Sequence, residues 1–214
     1  TGLTQTTRAT DSTSNSIDVN LTSGALGTLS LGAAGGTNYE SITLSANGAS
    51  SATLTEAGTA NFAEANDVIT IDGDSDLALT IAAAALGEDT SASNASAAEI
   101  DASGHNGALT LDVGTLDDTD DFFDVSEFTG VDVVRFGTAG STANGTNTVQ
   151  GLATSQAFQV DSFGDSTDDL VFNLATDGNS DSLTVDVDSG VAGTSVTGDD
   201  ITASKHETVT INSN

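Results

Sequence analysis

Three stretches of this chain carry one pattern in different residues. Tyr39–Leu44 reads YESITL, Val131–Phe136 reads VDVVRF and His206–Ile211 reads HETVTI. In each, an acid (Glu40, Asp132 or Glu207) precedes a run with apolar residues at every second position. A period of two places alternate side chains on opposite faces of a strand. We read one strand in three copies, so the chain is a repeated scaffold before it is anything else.

Longer passages support a repeat. Ser16–Thr28 (SIDVNLTSGALGT) aligns without a gap on Ser182–Thr194 (SLTVDVDSGVAGT), 166 positions later. Ala108–Val113 (ALTLDV) supplies a middle copy ahead of VDVVRF. Glu40, Asp132 and Glu207 lie 92 and 75 positions apart. Gly73, Asp74 and Ser75 match Gly164, Asp165 and Ser166 at an offset of 91, whereas Leu109-Thr110 match Leu183-Thr184 at 74. The difference of 17 places an Ala/Ser-rich insertion at Ala82–Ala98, read as a loop or a short helix near Ala82–Leu86. The expected organisation is a first β-repeat region at 1–107, a second at 108–181 and the start of a third at 182–214. With repeat-like text at both ends and no Met, the chain reads as a segment of a longer protein.

Strand-like runs recur at Ile17–Leu21, Ser41–Ala46, Ala52–Thr55, Val68–Asp72, Leu77–Ile81 and Glu99–Ala102. They continue at Ala108–Val113, Val131–Phe136, Phe158–Asp161, Leu170–Leu174, Leu183–Val187 and Thr208–Ile211. Gly, Asn, Asp and Ser fill the gaps, as turns require. The expected fold class is all-β, a repetitive parallel β-helix or solenoid. The alternative is a set of tandem antiparallel β-sandwiches. Aromatics make up 4% of the chain and Trp is absent, so the core is thin. Thin layers suit stacked rungs, each burying a little apolar area against its neighbours. The excess in the first unit is also close to one coil in length.

Charge narrows the function. The formal net charge is −29, from 32 acids against 3 bases: Arg8, Arg135 and Lys205. No basic surface exists to offset phosphates, so nucleic acid is not an expected partner. Self-repulsion on this scale weakens a compact fold unless divalent cations or a very salty medium relieve it. Cys is absent, which removes thiolate and disulfide chemistry. No apolar run approaches the length needed to span a membrane, so membrane insertion is not expected.

The acids cluster where turns are expected, and Asp suits hard-cation coordination. Asp72, Asp74 and Asp76 alternate like the opening of an EF-hand loop. Leu77 at position six and Ala83 at position twelve exclude that motif. Asp117, Asp118, Asp120, Asp121 and Asp124 form the densest group. Asp165, Asp168 and Asp169 form another, and Asp199 and Asp200 precede the last strand. A looser set comprises Asp177, Asp181, Asp186 and Asp188. These clusters, the last set excepted, are the expected metal positions, with Ca²⁺ the expected ion. Glu40, Asp132 and Glu207 either cap backbone amides between rungs or are surface acids; the sequence leaves both open.

No catalytic constellation emerges, and the chain is not expected to be an enzyme. His105 and His206 lack a second His or a Cys at zinc-ligand spacing and read as surface or turn residues. No nucleophile elbow, P-loop or dinucleotide fingerprint occurs. Asn20, Asn94 and Asn144 open N-x-S/T triplets, which matter only where the source glycosylates its surface proteins.

VITIDGDSDLALTI, AAEIDASGHNGALTLDV, FTGVDVVRF and HETVTI together resemble the repeat text of bacterial surface-layer proteins and of large adhesins exported by type I secretion. Gly73, Asp74, Leu77 and Leu79 match a first strand phrase of that text. Ile100, Asp101, Ala102, Ser103, Gly107, Leu109, Thr110 and Leu111 match a second, and Gly130, Val131, Asp132 and Val134 a third. The resemblance implies a β-rich, often Ca²⁺-binding protein that assembles into lattices or projects from the cell. The nonapeptide Ca²⁺ signature of the repeats-in-toxin class is not intact here, and Phe163–Leu170 is a distant echo of it. The resulting expectation is an extracellular structural protein, a segment of a self-assembling surface layer stabilised by Ca²⁺. Alternatives are the stalk or adhesive repeat of an adhesin, with a cell-surface glycan as partner, or the subunit of an extracellular filament.

Overall fold

The computed structural model describes residues 3–4, 15–22, 24–31, 39–56, 67–86, 98–116, 122–139, 145–153, 156–163, 169–187 and 200–213. In chain order the first strands are β1 (Leu3–Thr4), β2 (Ser16–Leu21), β3 (Gly24–Leu31), β4 (Ser41–Ala46), β5 (Ala49–Glu56), β6 (Val68–Gly73) and β7 (Leu77–Thr80). A single helical turn, α1 (Ala83–Leu86), follows at the start of the expected insertion. Then come β8 (Glu99–His105), β9 (Leu109–Leu116), β10 (Phe122–Asp124), β11 (Phe128–Thr129), β12 (Val133–Ala139) and β13 (Thr146–Leu152). The last are β14 (Ala157–Val160), β15 (Asp169–Leu174), β16 (Ser182–Val187), β17 (Ile201–Ser204) and β18 (Thr208–Ser213).

The chain folds as a parallel β-solenoid, and the antiparallel sandwich alternative falls away. Every described strand pairing with a defined register is parallel. Two compact units make up the chain. One comprises Thr1–Gly87, Ser96–Leu111 and Glu127–Val131; the other comprises Glu88–Ala95, Asp112–Ser126 and Asp132–Asn214.

In the first unit, β2, β4, β6, β8 and β11 stack in that order, and β1, β3, β5 and β7 form a second stack. Register brings like side chains into columns. Ile17, Ile42, Ile69, Ile100 and Phe128 line up through successive coils. Ile42, Ile69 and Ile100 are fully buried. Val19, Leu44 and Ile71 form the next column. Between them on the opposite face runs a polar column of Asp18, Thr43, Thr70 and Asp101. Such columns follow from a strand spacing of about 4.8 Å, which puts identical positions in van der Waals contact.

In the second unit, β12, β14, β16 and β18 stack, as do β10, β13, β15 and β17. Its core is aromatic. Phe123 meets Phe136 edge-on at 5.4 Å between centroids, Phe136 lies parallel to Phe158 at 6.2 Å, and Phe158 meets Phe172 at 4.9 Å. All four rings are completely buried.

The coil is shorter than the repeat inferred from sequence. Ser30 pairs with Thr55 in the next coil, a sequence separation of 25. Ser16 pairs with Ser41, so SIDVNL and YESITL are one strand stacked directly on another, one coil apart. SLTVDV and HETVTI are likewise stacked, with Ser182 on Thr208. Val133, Ala157, Thr184 and Thr210 form one column, so three successive coils run from Val133 to Thr210 and account for the spacing near 75. The excess of 17 is therefore less than one coil. Beyond Leu86 its bulk lies outside the described residues.

Strands β1, β3, β10, β11, β13 and β17 escape the alternation test; β1 and β11 are two residues each, too short to show it. Gly24 and Gly151 adopt positive φ, and register shifts interrupt β3 and β13. Irregularities of this kind break the period of two that marks a strand in sequence.

Candidate functional site

The acids are stitches between coils. Glu40 heads β4, and its Oε2 accepts a hydrogen bond from the Asn15 N–H, 25 residues upstream, at 2.5 Å. The return bonds run from the Glu40 and Ser41 N–H groups to the Asn15 carbonyl at 3.1 and 3.2 Å. Glu207 repeats this arrangement. Its Oε2 accepts from the Asp181 N–H at 2.7 Å, while the Glu207 and Thr208 N–H groups donate to the Asp181 carbonyl at 3.0 and 3.1 Å. Glu40 and Glu207 are thus amide caps between rungs. The first residue of a strand has an N–H that no ladder satisfies, and an unpaired backbone donor near the interior is costly. An acid one coil away meets that need. Asp132, the third strand-heading acid, is exposed.

The same device recurs at the corners. Ala108 N–H donates to Asp76 Oδ1 at 2.9 Å, and Asn106 Nδ2 donates to Asp74 Oδ1 at 2.9 Å. Asp200 N–H donates to Asp169 Oδ1 at 3.2 Å. Asp124 accepts from Ser126 N–H within its own turn at 2.9 Å and from Gln150 Nε2 of the next coil at 3.1 Å. Asp186 Oδ1 accepts from Asn212 Nδ2 at 2.6 Å. The corner at Asp72–Asp76 also explains a glycine. Gly73 has φ +102°, and a Cβ there would lie 2.4 Å from the Ala46 carbonyl oxygen of the coil it stacks on.

One place in the second unit brings three carboxylates together. Asp177 and Asp181 from one corner meet Glu207 from the next coil, with one carboxylate oxygen of each within 4.8 Å of the others. Among the described residues this is the group of acids that converges in this way. Asp181 is only 3% exposed, and its Oδ2 accepts the Gly178 N–H at 2.5 Å. Gly178 lets the corner fold onto that carboxylate, since a Cβ there would sit 2.7 Å from Asp181 Oδ1. Ca²⁺–oxygen distances of about 2.4 Å place opposing ligands about 4.8 Å apart. Three hard oxygen donors within that span could share such an ion, although Asp177 and Glu207 are exposed. Next to Glu207, both ring nitrogens of His206 are buried without a hydrogen-bond partner.

The expected metal positions fall out differently. Asp72, Asp74 and Asp76 occupy the corner described above, and Asp74 and Asp76 spend oxygens on the next coil. Asp124, Asp169 and Asp200 sit at strand ends of the second unit, and Asp124 and Asp169 act as acceptors there. Asp117, Asp118, Asp120, Asp121, Asp165, Asp168 and Asp199 lie outside the described residues. Both histidines are half-buried, and His105 Nδ1 lies 3.3 Å from the Asp72 carbonyl oxygen. Asn20 is exposed on β2 and accepts from Asn47 Nδ2; Asn94 and Asn144 lie outside the described residues.

A signal for the Asp177–Asp181–Glu207 set was present in the sequence. The alignment of Ser16 on Ser182 continues upstream: Thr10-Asp11 matches Thr176-Asp177, Ser14 matches Ser180, and Asn15 stands where Asp181 does. The match ends with the strand-heading pair Glu40 and Glu207, whose backbone bonds are the same. Asp11 lies outside the described residues.

The one described ion-pair cluster belongs to the same scheme. Arg135 on β12 donates through Nη1 to Asp112 Oδ2 at 2.8 Å and through Nε to Asp161 Oδ1 at 3.2 Å, with Nη2 also on Asp161. Gln159 adds a bond to Asp161 at 2.8 Å. Asp161 first, and Asp112 after it, hold the guanidinium above its ordinary pKa against the cost of partial burial. Asp101 is held below the ordinary aspartate value, chiefly by the Ser103 hydroxyl and then by the Ser103 N–H.

Among the described residues, no helix is long and apolar enough to cross a membrane. Comparison with family models, curated proteins and solved structures returned no match.

Proposed function

We propose that this chain is a structural protein of the cell surface: a calcium-stiffened β-solenoid, part of a self-assembling extracellular layer. The observation that carries this reading is the division of labour among the acids. Acids such as Glu40, Asp76 and Asp169 spend an oxygen on the neighbouring coil, while Asp177 and Asp181 join Glu207, itself an inter-coil acceptor, in a group of three converging carboxylates. A divalent cation there would tie one coil to the next and cancel part of a net charge of −29. The repeat text shared with surface-layer proteins and exported adhesins supports an extracellular setting.

The test is electron microscopy and light scattering of the purified chain, first in EDTA and then with millimolar Ca²⁺. Sheets that form with Ca²⁺ and dissolve in EDTA are the expected result. Monomers under both conditions would replace the layer with a stalk of an adhesin. Assembly driven equally by NaCl and by Ca²⁺ would point to a salt-dependent filament and leave the metal no role.

A further inference from the structure

We draw no further inference here: the strongest candidate, the uncovered outer edge of β18, where Val209 and Ile211 are 42% and 52% exposed, carries nothing because nothing in the structure shows what covers it.

Discussion

Asn15 in the first unit and Asp181 in the second do the same backbone work. Each gives its N–H to a strand-heading glutamate one coil on, and each takes back two N–H bonds at its carbonyl. Only the side chain differs. The neutral amide in the first unit shows that this stitch does not require an acid at that position. The carboxylate of Asp181 is therefore not needed for the ladder; almost fully buried, it caps the Gly178 N–H and lies close to the exposed acids Asp177 and Glu207. Burying an extra charge near two like charges costs free energy unless something positive joins them. The contrast separates an inter-coil stitch made with a neutral residue from the same stitch made beside two further carboxylates.

The cores differ as well. The first unit repeats Ile along a column, while the second threads four Phe rings through successive coils. A column of like aliphatic residues spreads its stability evenly. A chain of rings concentrates it, because each ring contacts its neighbours both by area and by quadrupole geometry. The largest expected effect follows. Phe158→Ala should cost about 3–5 kcal/mol, exceeding the matching truncation Ile69→Ala in the first unit, for which the range is about 2–5 kcal/mol. Hydrogen exchange should show the loss at β12–β16. Equal losses in both units would erase the distinction between the cores.

The stitches come next in size. Glu40→Ala removes the acceptor of the Asn15 N–H and should cost about 1–3 kcal/mol, to the same extent with or without Ca²⁺. Glu207→Ala should cost a similar amount in EDTA and, under the proposed calcium role, more in Ca²⁺. Denaturant midpoints under both conditions give the comparison. A Ca²⁺-dependent penalty for Glu40→Ala would break it.

Asp181→Asn rebuilds the first unit's arrangement in the second. In EDTA it should be neutral or stabilising, by roughly 1 kcal/mol, because one of three crowded charges is gone. With Ca²⁺ present it should lose the metal-linked rise in stability. Calorimetric titration of the variant should show no heat assignable to this site.

The smallest effect concerns Asp101. Its carboxyl is held low by Ser103, so the stability it lends is present above the ordinary aspartate range and fades as pH falls through its lowered value. The contact with Ser103 is exposed, so solvent screens the interaction and little stability rides on it. Ser103→Ala should raise the Asp101 pKa towards the ordinary value in an NMR titration. The acid limb of the stability curve should barely move.

Much of this architecture was legible in the residues. Alternation located twelve strands, and thin apolar content pointed to a solenoid. Coil length was not legible, because every strand shares one alphabet: a strand and the strand stacked on it look as alike as true repeat copies. SIDVNL and YESITL are neighbours in a column, yet they read as two parts of a long unit. The role of Glu40 and Glu207 was hidden for a related reason. The donor each acid satisfies lies 25 or 26 residues upstream, and only register brings them together. Dense runs of Asp are visible in the sequence because their spacing is local. The converging set spans Asp177 to Glu207, with most of a coil between its members.

The most direct test is amide hydrogen exchange with and without Ca²⁺. The ion should slow exchange at Asp181, Glu207 and Thr208 by tenfold or more, with Asn15, Glu40 and Ser41 unchanged. Asp177→Asn should abolish the difference. Uniform slowing across both units, or none at Asp181, would contradict a cation site between these coils and return its acids to the status of screened surface charge.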